Sequence, residues 1–200
     1  MFELVKENLL KRGYTVSCFE TAAEAAEYMD GAINGKSVGF GGSMTLATMK
    51  LYEKLASHNR VSWHARIPAE QTADEVRAAA QAAEVYISSV NALAETGEIV
   101  NIDGLCNRVA SVLYGHRKVY LVVGKNKLAE NEEMAIWRAR NIAAPLNAKR
   151  LGANTPCAVK GDRCYNCQSP DRICRALVVL WEKPRQSDIE ILLVNQRLGY

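Results

Sequence analysis

Two hundred residues, 48% of them hydrophobic and 24% charged, suffice for one domain with a sizeable core and fall short of two. The formal net charge is only +3 and basic and acidic residues are interspersed, which argues against a nucleic-acid footprint. The opening MFELVKENLLKRG carries charge in its middle, unlike a secretory leader, and no apolar run approaches a membrane span, so the expected location is the cytoplasm.

Phe2, Val5, Leu9 and Leu10 share one helical face, and Gly13 ends that helix. Tyr14 to Phe19 reads as a strand, Thr21 opens an alanine-rich helix to about Met29, and Ser37 to Phe40 is a second strand entering Gly41-Gly42-Ser43. A helix from Thr45 to Ser57, a strand from Val61 to His64, a helix from Ala69 to Ala83 and a strand from Val85 to Val90 follow. Such alternation predicts an α/β fold in three α/β/α layers, with a mostly parallel sheet. Ala92 to Glu95 and Glu98 to Ile102, joined at Thr96-Gly97, form a small inserted hairpin. Leu105, Val109, Val112 and Leu113 mark another amphipathic helix. KVYLVV at 118–123 is the clearest buried strand, and a helix runs from Asn131 until Pro145 stops it. Leu177 to Trp181 and Ile189 to Val194 are two more strands, and EKPRQSD between them is too short for a helical crossover, which predicts an antiparallel C-terminal pair.

Four of the six cysteines fall between Thr155 and Cys174: Cys157, Cys164, Cys167 and Cys174, spaced C-x6-C-x2-C-x6-C. A C-x2-C turn brings two sulfurs to one side, and flanking cysteines can complete a tetrahedron, so a four-Cys knuckle holding a metal is expected over 155–174. Four thiolates suit either zinc or an iron–sulfur cluster. The same cysteines could instead be redox-active thiols, disulfides or small buried hydrophobes; a reducing compartment disfavours disulfides.

In an open α/β sheet, ligands bind where strands give way to loops at their carboxyl ends. The first such loop, with Gly41, Gly42 and Ser43, leads into a helix and suits phosphate or carboxylate. The second spans 91–103, where Asn91, Glu95, Asn101 and Asp103 offer acidic and amide groups for general-base, nucleophilic or orienting roles; Asp103-Gly104 equally reads as a turn with a helix cap. The third, Gly124-Lys125-Asn126-Lys127, presents lysines to an anionic substrate, or a solvated turn. His58, His64 and His116 show no metal spacing and read as surface or capping residues. Trp63, Trp137 and Trp181 read as core anchors.

GFGGSMTL at 39–46, NALAETGEIVNIDGLCNRVA at 91–110, VYLVVGKNKL at 119–128 and TPC…GDRCYNCQSPDRIC together resemble the LUD-domain family of lactate-utilisation proteins, over nearly the whole chain. The resemblance implies a single LUD-type domain over 1–200, with a fold like those of ribose-phosphate isomerase, glucosamine-phosphate deaminase and the coenzyme A transferases. It implies anion binding by Gly41, Gly42 and Ser43, Glu95 as the acidic catalytic group, and Lys125 or Lys127 as its electrostatic partner. It also implies a part in oxidising lactate to pyruvate alongside iron–sulfur and flavin partner proteins.

Two functions follow. One is a lactate-utilisation component that binds a small hydroxy or keto acid, or a phosphorylated metabolite. Its site comprises Glu95, Asp103 and Lys125 as catalytic residues and Gly41, Gly42, Ser43, Asn91, Asn101, Gly124 and Asn126 as anion-binding ones. The other is a stand-alone sugar-phosphate isomerase or coenzyme A transferase using Glu95 as base or nucleophile. Neither nucleic acid nor membrane is an expected partner, and the sequence is compatible with an oligomer.

Overall fold

The computed structural model describes residues 2–200. The chain opens with α1 (Glu3–Lys11), β1 (Thr15–Phe19) and α2 (Ala22–Ala32). Thr21 caps α2 reciprocally: its hydroxyl accepts from Glu24 N–H while the Glu24 carboxylate accepts from Thr21 N–H. Then come β2 (Ser37–Phe40), α3 (Met44–Thr48), α4 (Leu51–Leu55), β3 (Arg60–Trp63), α5 (Ala73–Gln81) and β4 (Val85–Ser89). The single helix expected over 45–57 is two short ones. Lys50 adopts left-handed backbone (φ 53°) between them, and the break lets Leu46, Leu51 and Leu55 all bury.

The inserted hairpin is present as β5 (Ala92–Ala94) and β6 (Ile99–Asp103), followed by α6 (Asn107–Leu113), β7 (Lys118–Gly124) and β8 (Leu128–Ala129). α7 (Glu132–Arg138) does not stop before Pro145. It passes through a π-helical turn, Ala139–Ala143, into α8 (Ala144–Arg150). Proline is tolerated there because it stands in the first turn after the π-turn, where the regular α ladder is already displaced. α9 (Pro156–Lys160), β9 (Ala176–Leu180) and β10 (Ile189–Val194) complete the chain.

Six strands form an all-parallel sheet in the order β1-β10-β7-β4-β2-β3. Period-two alternation divides its side chains between two cores. Phe40, Ile87, Tyr120, Val122, Leu192 and Val194 meet α2, α3 and α4, whereas Tyr86, Val119, Leu121, Val123, Ile191 and Leu193 meet α1 and α6. Helices on both faces give the expected three layers. Gly39 has to be glycine, since a Cβ there would stand 2.1 Å from the Ala80 carbonyl oxygen of α5.

The C-terminal strands do not pair with each other. β9 is antiparallel to β6, at the edge of a second sheet ordered β8-β5-β6-β9, while β10 enters the centre of the parallel sheet between β1 and β7. The reason lies in composition: all six residues of IEILLV are buried, as an interior parallel strand covered on both faces requires. The eight-residue connection therefore carries the chain from one sheet to the other instead of making a hairpin.

Candidate functional site

Because the main sheet is parallel, β2, β3, β4 and β7 all deliver their carboxyl ends to one edge. There a cavity of about 570 Å³ opens, with its floor at the strand ends. Its far wall comes from the β6–α6 connection, α8 and the segment that carries the cysteines. Six cationic side chains line it, Arg66, Arg108, Lys127, Arg150, Arg172 and Arg175, against the single carboxylate of Asp103.

Lys127 is the most buried of these charges, at 3% exposure. Its ammonium donates to Thr45 Oγ1 (2.9 Å), Ser89 Oγ (2.8 Å) and the Val90 carbonyl (2.9 Å). Thr45 already donates its own proton to the Leu198 carbonyl, and Ser89 donates to that of Val122. Both hydroxyls must therefore accept from Lys127, and three acceptors call for the three N–H groups of the charged form. Burial works against that charge, followed by the nearby guanidiniums of Arg138 and Arg108, and together they pull the lysine down to about 7. No carboxylate compensates it. The arrangement is a poised positive charge awaiting an anion.

Arg108 runs beneath the glycine loop. Its guanidinium donates to Asn101 Oδ1 (2.5 Å), the Ile102 carbonyl (2.7 Å) and Asn91 Oδ1 (3.2 Å), and its Nε lies 3.8 Å from Asp103 Oδ2. Asp103 also accepts from the backbone N–H groups of Gly104, Cys106 and Val109. It is thus the cap that orders the loop into α6 and a counter-charge to Arg108, with both oxygens engaged. Asn91 accepts on its oxygen from Ile102 N–H and Arg108, which turns its amide nitrogen into a spare donor at the cavity. Asn147 is used the same way by Arg150.

The glycine loop supplies room rather than an amide cradle. A Cβ on Gly41 would meet Ser88 Oγ at 2.6 Å, Tyr86 Oη at 2.9 Å and Arg108 Cγ at 3.1 Å, and Gly41 N–H is committed to the Ile87 carbonyl. Gly42 lets the His64 ring come to 3.2 Å of where its Cβ would be. Ser43 caps α3 by accepting from Leu46 N–H. Gly42 and Ser43 line the cavity; Gly41 lies just behind it.

Several expected site residues stand elsewhere. β5 runs away from the sheet edge, so Glu95 lands against α1, where its carbonyl accepts from Asn8 and its N–H donates to the Ala129 carbonyl. Lys125 is outside the cavity and donates to Asn195. Gly124 and Asn126 hold the C-terminal segment: Asn126 accepts from Leu198 N–H and donates to the Gly199 carbonyl. That pairing carries Tyr200 onto the cavity wall. Asn101 is buried behind Arg108 and does not reach the cavity.

The four cysteines of 155–174 are separate, half-buried thiols, and among the described residues no three His, Cys, Asp or Glu side chains are placed to hold a metal ion. One piece of a knuckle is present, since Asn166, in left-handed backbone (φ 45°), donates its N–H to Cys164 Sγ at 3.3 Å. As placed, the four sulfurs do not fit one ion. What the segment contributes is its arginines. Arg172 donates to the carbonyls of Cys174 and Cys167 (2.7 Å each), and Arg175 N–H to that of Asp103 (2.9 Å). Gly104 makes the approach possible, since a Cβ there would lie 2.7 Å from the Ile173 oxygen.

The LUD domain profile matches residues 2–194. This chain belongs to the LUD-domain family. A duf162 family protein from Deinococcus radiodurans, seen in a crystal structure, is similar to this LUD domain with a TM-score of 0.54 over 96% of this chain and 94% of that one. At 13% identity that likeness is one of fold. No curated protein matches this chain.

Sequence reasoning missed His64, Arg108, Arg150, Arg172 and Arg175 in this LUD domain. His64 stands at the carboxyl end of β3, the very place that singled out the glycine loop, and no side chain or backbone group among the described residues bonds its ring. Burial first, then Arg77 and Arg150, hold it below the usual histidine value, so it is a neutral base at pH 7. His58 fits the expectation of a surface residue and pairs with Asp30; His116 does not, being buried, bonded to the Ala83 carbonyl and stacked on Tyr86.

Proposed function

We propose that this LUD-domain protein binds a small hydroxy or keto acid, or a phosphorylated metabolite, in the cationic cavity. In this reading it takes part in lactate oxidation to pyruvate together with iron–sulfur and flavin partner proteins. The observation that carries the reading is the buried Lys127 charge, which is satisfied by neutral acceptors and faced by no acid. An anionic ligand removes the penalty of that isolated charge. The family supports the choice of a hydroxy acid.

In this reading the positive charges of Lys127 and Arg108, whose N–H groups are already bonded within the protein, attract the carboxylate, the amide nitrogen of Asn91 donates to it, and neutral His64 accepts the proton of the substrate hydroxyl. Lactate gives up two electrons and two protons on becoming pyruvate: the hydroxyl proton passes to His64, and the Cα hydrogen would leave together with both electrons to the redox partners. An isomerase or coenzyme A transferase built on Glu95 lacks support, since Glu95 stands apart from the cavity.

Calorimetric titration of lactate, pyruvate and inorganic phosphate into the wild-type chain and into Lys127→Met tests this. Saturable binding is expected, weakened roughly 10- to 100-fold in the variant, the loss of one buried positive charge beside the anion. Absence of binding by all three anions, or full affinity in Lys127→Met, would overturn it.

A further inference from the structure

Five of the six positive charges along the cavity fall in two tiers; the sixth, Arg66, is paired with Glu53. The floor tier is buried Lys127 with half-buried Arg108, and has Asp103 as its one counter-charge. The rim tier, Arg150 at the end of α8 with Arg172 and Arg175 from the cysteine-bearing segment, has none. The rim guanidiniums are nevertheless fixed in place. Arg150 donates to Asn147 Oδ1 (2.8 and 3.0 Å), Arg172 to the Cys167 and Cys174 carbonyls, and Arg175 to the Pro170 carbonyl (3.2 Å). Each is oriented by a neutral acceptor that leaves its charge uncancelled. Three arginines ordered this way form a preorganised site for a group with several acceptor oxygens.

Size points the same way. At roughly 30 Å³ per water, the 570 Å³ cavity would hold about nineteen waters, so a three-carbon acid leaves most of it unfilled.

Resting on the function proposed above, we infer that the ligand bears two anionic groups at once: it is a phosphorylated hydroxy or keto acid. Its carboxylate lies at the Lys127–Arg108 floor and its phosphoryl group at the Arg150–Arg172–Arg175 rim. The free amide nitrogens of Asn91 and Asn147 serve the two ends.

The test is calorimetry at constant ionic strength with 3-phosphoglycerate, lactate, inorganic phosphate, and lactate plus phosphate as probes, on wild type and on Arg150→Gln. Joining two anionic groups in one ligand should make 3-phosphoglycerate bind at least about 100-fold tighter than lactate or phosphate alone. Arg150→Gln, an exposed helix-end change, should weaken 3-phosphoglycerate about tenfold and leave lactate unchanged. Equal affinity for lactate and 3-phosphoglycerate would overturn the two-group ligand while leaving the acid-binding function standing. Phosphate binding as tightly as 3-phosphoglycerate would overturn it in favour of a phosphate site. No binding of any probe would remove both proposals together.

Discussion

The floor and the rim of the cavity are built by opposite means. The floor rests on strand ends whose positions follow from the parallel ladder, and its charges are locked by acceptors belonging to the main sheet and its neighbours. The rim is made by a helix beyond a π-turn and by a segment with little regular structure, joined to the floor through Arg175 N–H and the Asp103 carbonyl. The difference teaches that a site can take its affinity from a part fixed by the sheet and its selectivity from one fixed by bonds between side chains and neighbouring carbonyl or amide oxygens.

The largest effect should come from disturbing the floor. Gly41→Val would drive its side chain into Ser88, Tyr86 and the Arg108 stem. The expected loss is about 1–3 kcal/mol, or several degrees in the melting temperature of a chain this size, together with loss of anion binding. A variant that melts like wild type and binds normally would show that the floor is not rigid.

A change of pH separates floor from rim next. Lys127 releases its proton near 7 in the folded chain and near 10.5 when unfolded. Between those values the unfolded state holds more protons, so stability relative to Lys127→Met rises with pH from about 7 upward, while below it the buried charge is borne in full. Affinity for an anion moves the opposite way and declines as pH climbs past 7. Paired melts and titrations from pH 6 to 9 check both slopes; slopes of the same sign would contradict the charge assigned to Lys127.

The rim supplies the third contrast. With the four sulfurs apart, anaerobically purified protein should contain substoichiometric zinc and iron and lack thiolate-to-metal absorbance. One full equivalent of metal would mean that the segment rearranges on loading and takes Arg172 with it. The smallest effect is expected at Glu95→Gln, outside both tiers: stability within about 0.5 kcal/mol and unchanged ligand affinity.

This contrast also explains what the sequence disclosed. Strand ends are legible because apolar runs such as KVYLVV announce buried strands, and in a parallel sheet the ligand edge follows; Gly42, Ser43 and Asn91 were within reach on that ground. Lys125 and Lys127 look alike in GKNK, and only the one-turn 3-10 helix at 125–127 sends Lys125 outward and Lys127 beneath Val90. Glu95 attracted attention as an acid in an apolar context, but that context is the hairpin packing on α1. Arg172 and Arg175 were hidden because cysteines set the period by which their stretch was read. The misplaced C-terminal strand shows the same limit: connection length restricts hairpins, yet burial of IEILLV on both faces decided its neighbours.

The π-turn at Ala139–Ala143 also sets an angular phase. One residue of helix corresponds to a rotation of about 100°, so the wide turn determines which way the following helix looks. As built, Ala144, Asn147 and Arg150 share the stripe that meets the cavity. Excising a single residue there would swing that stripe by more than a quarter of a circle, pointing Arg150 at solvent without touching a residue of the cavity wall itself.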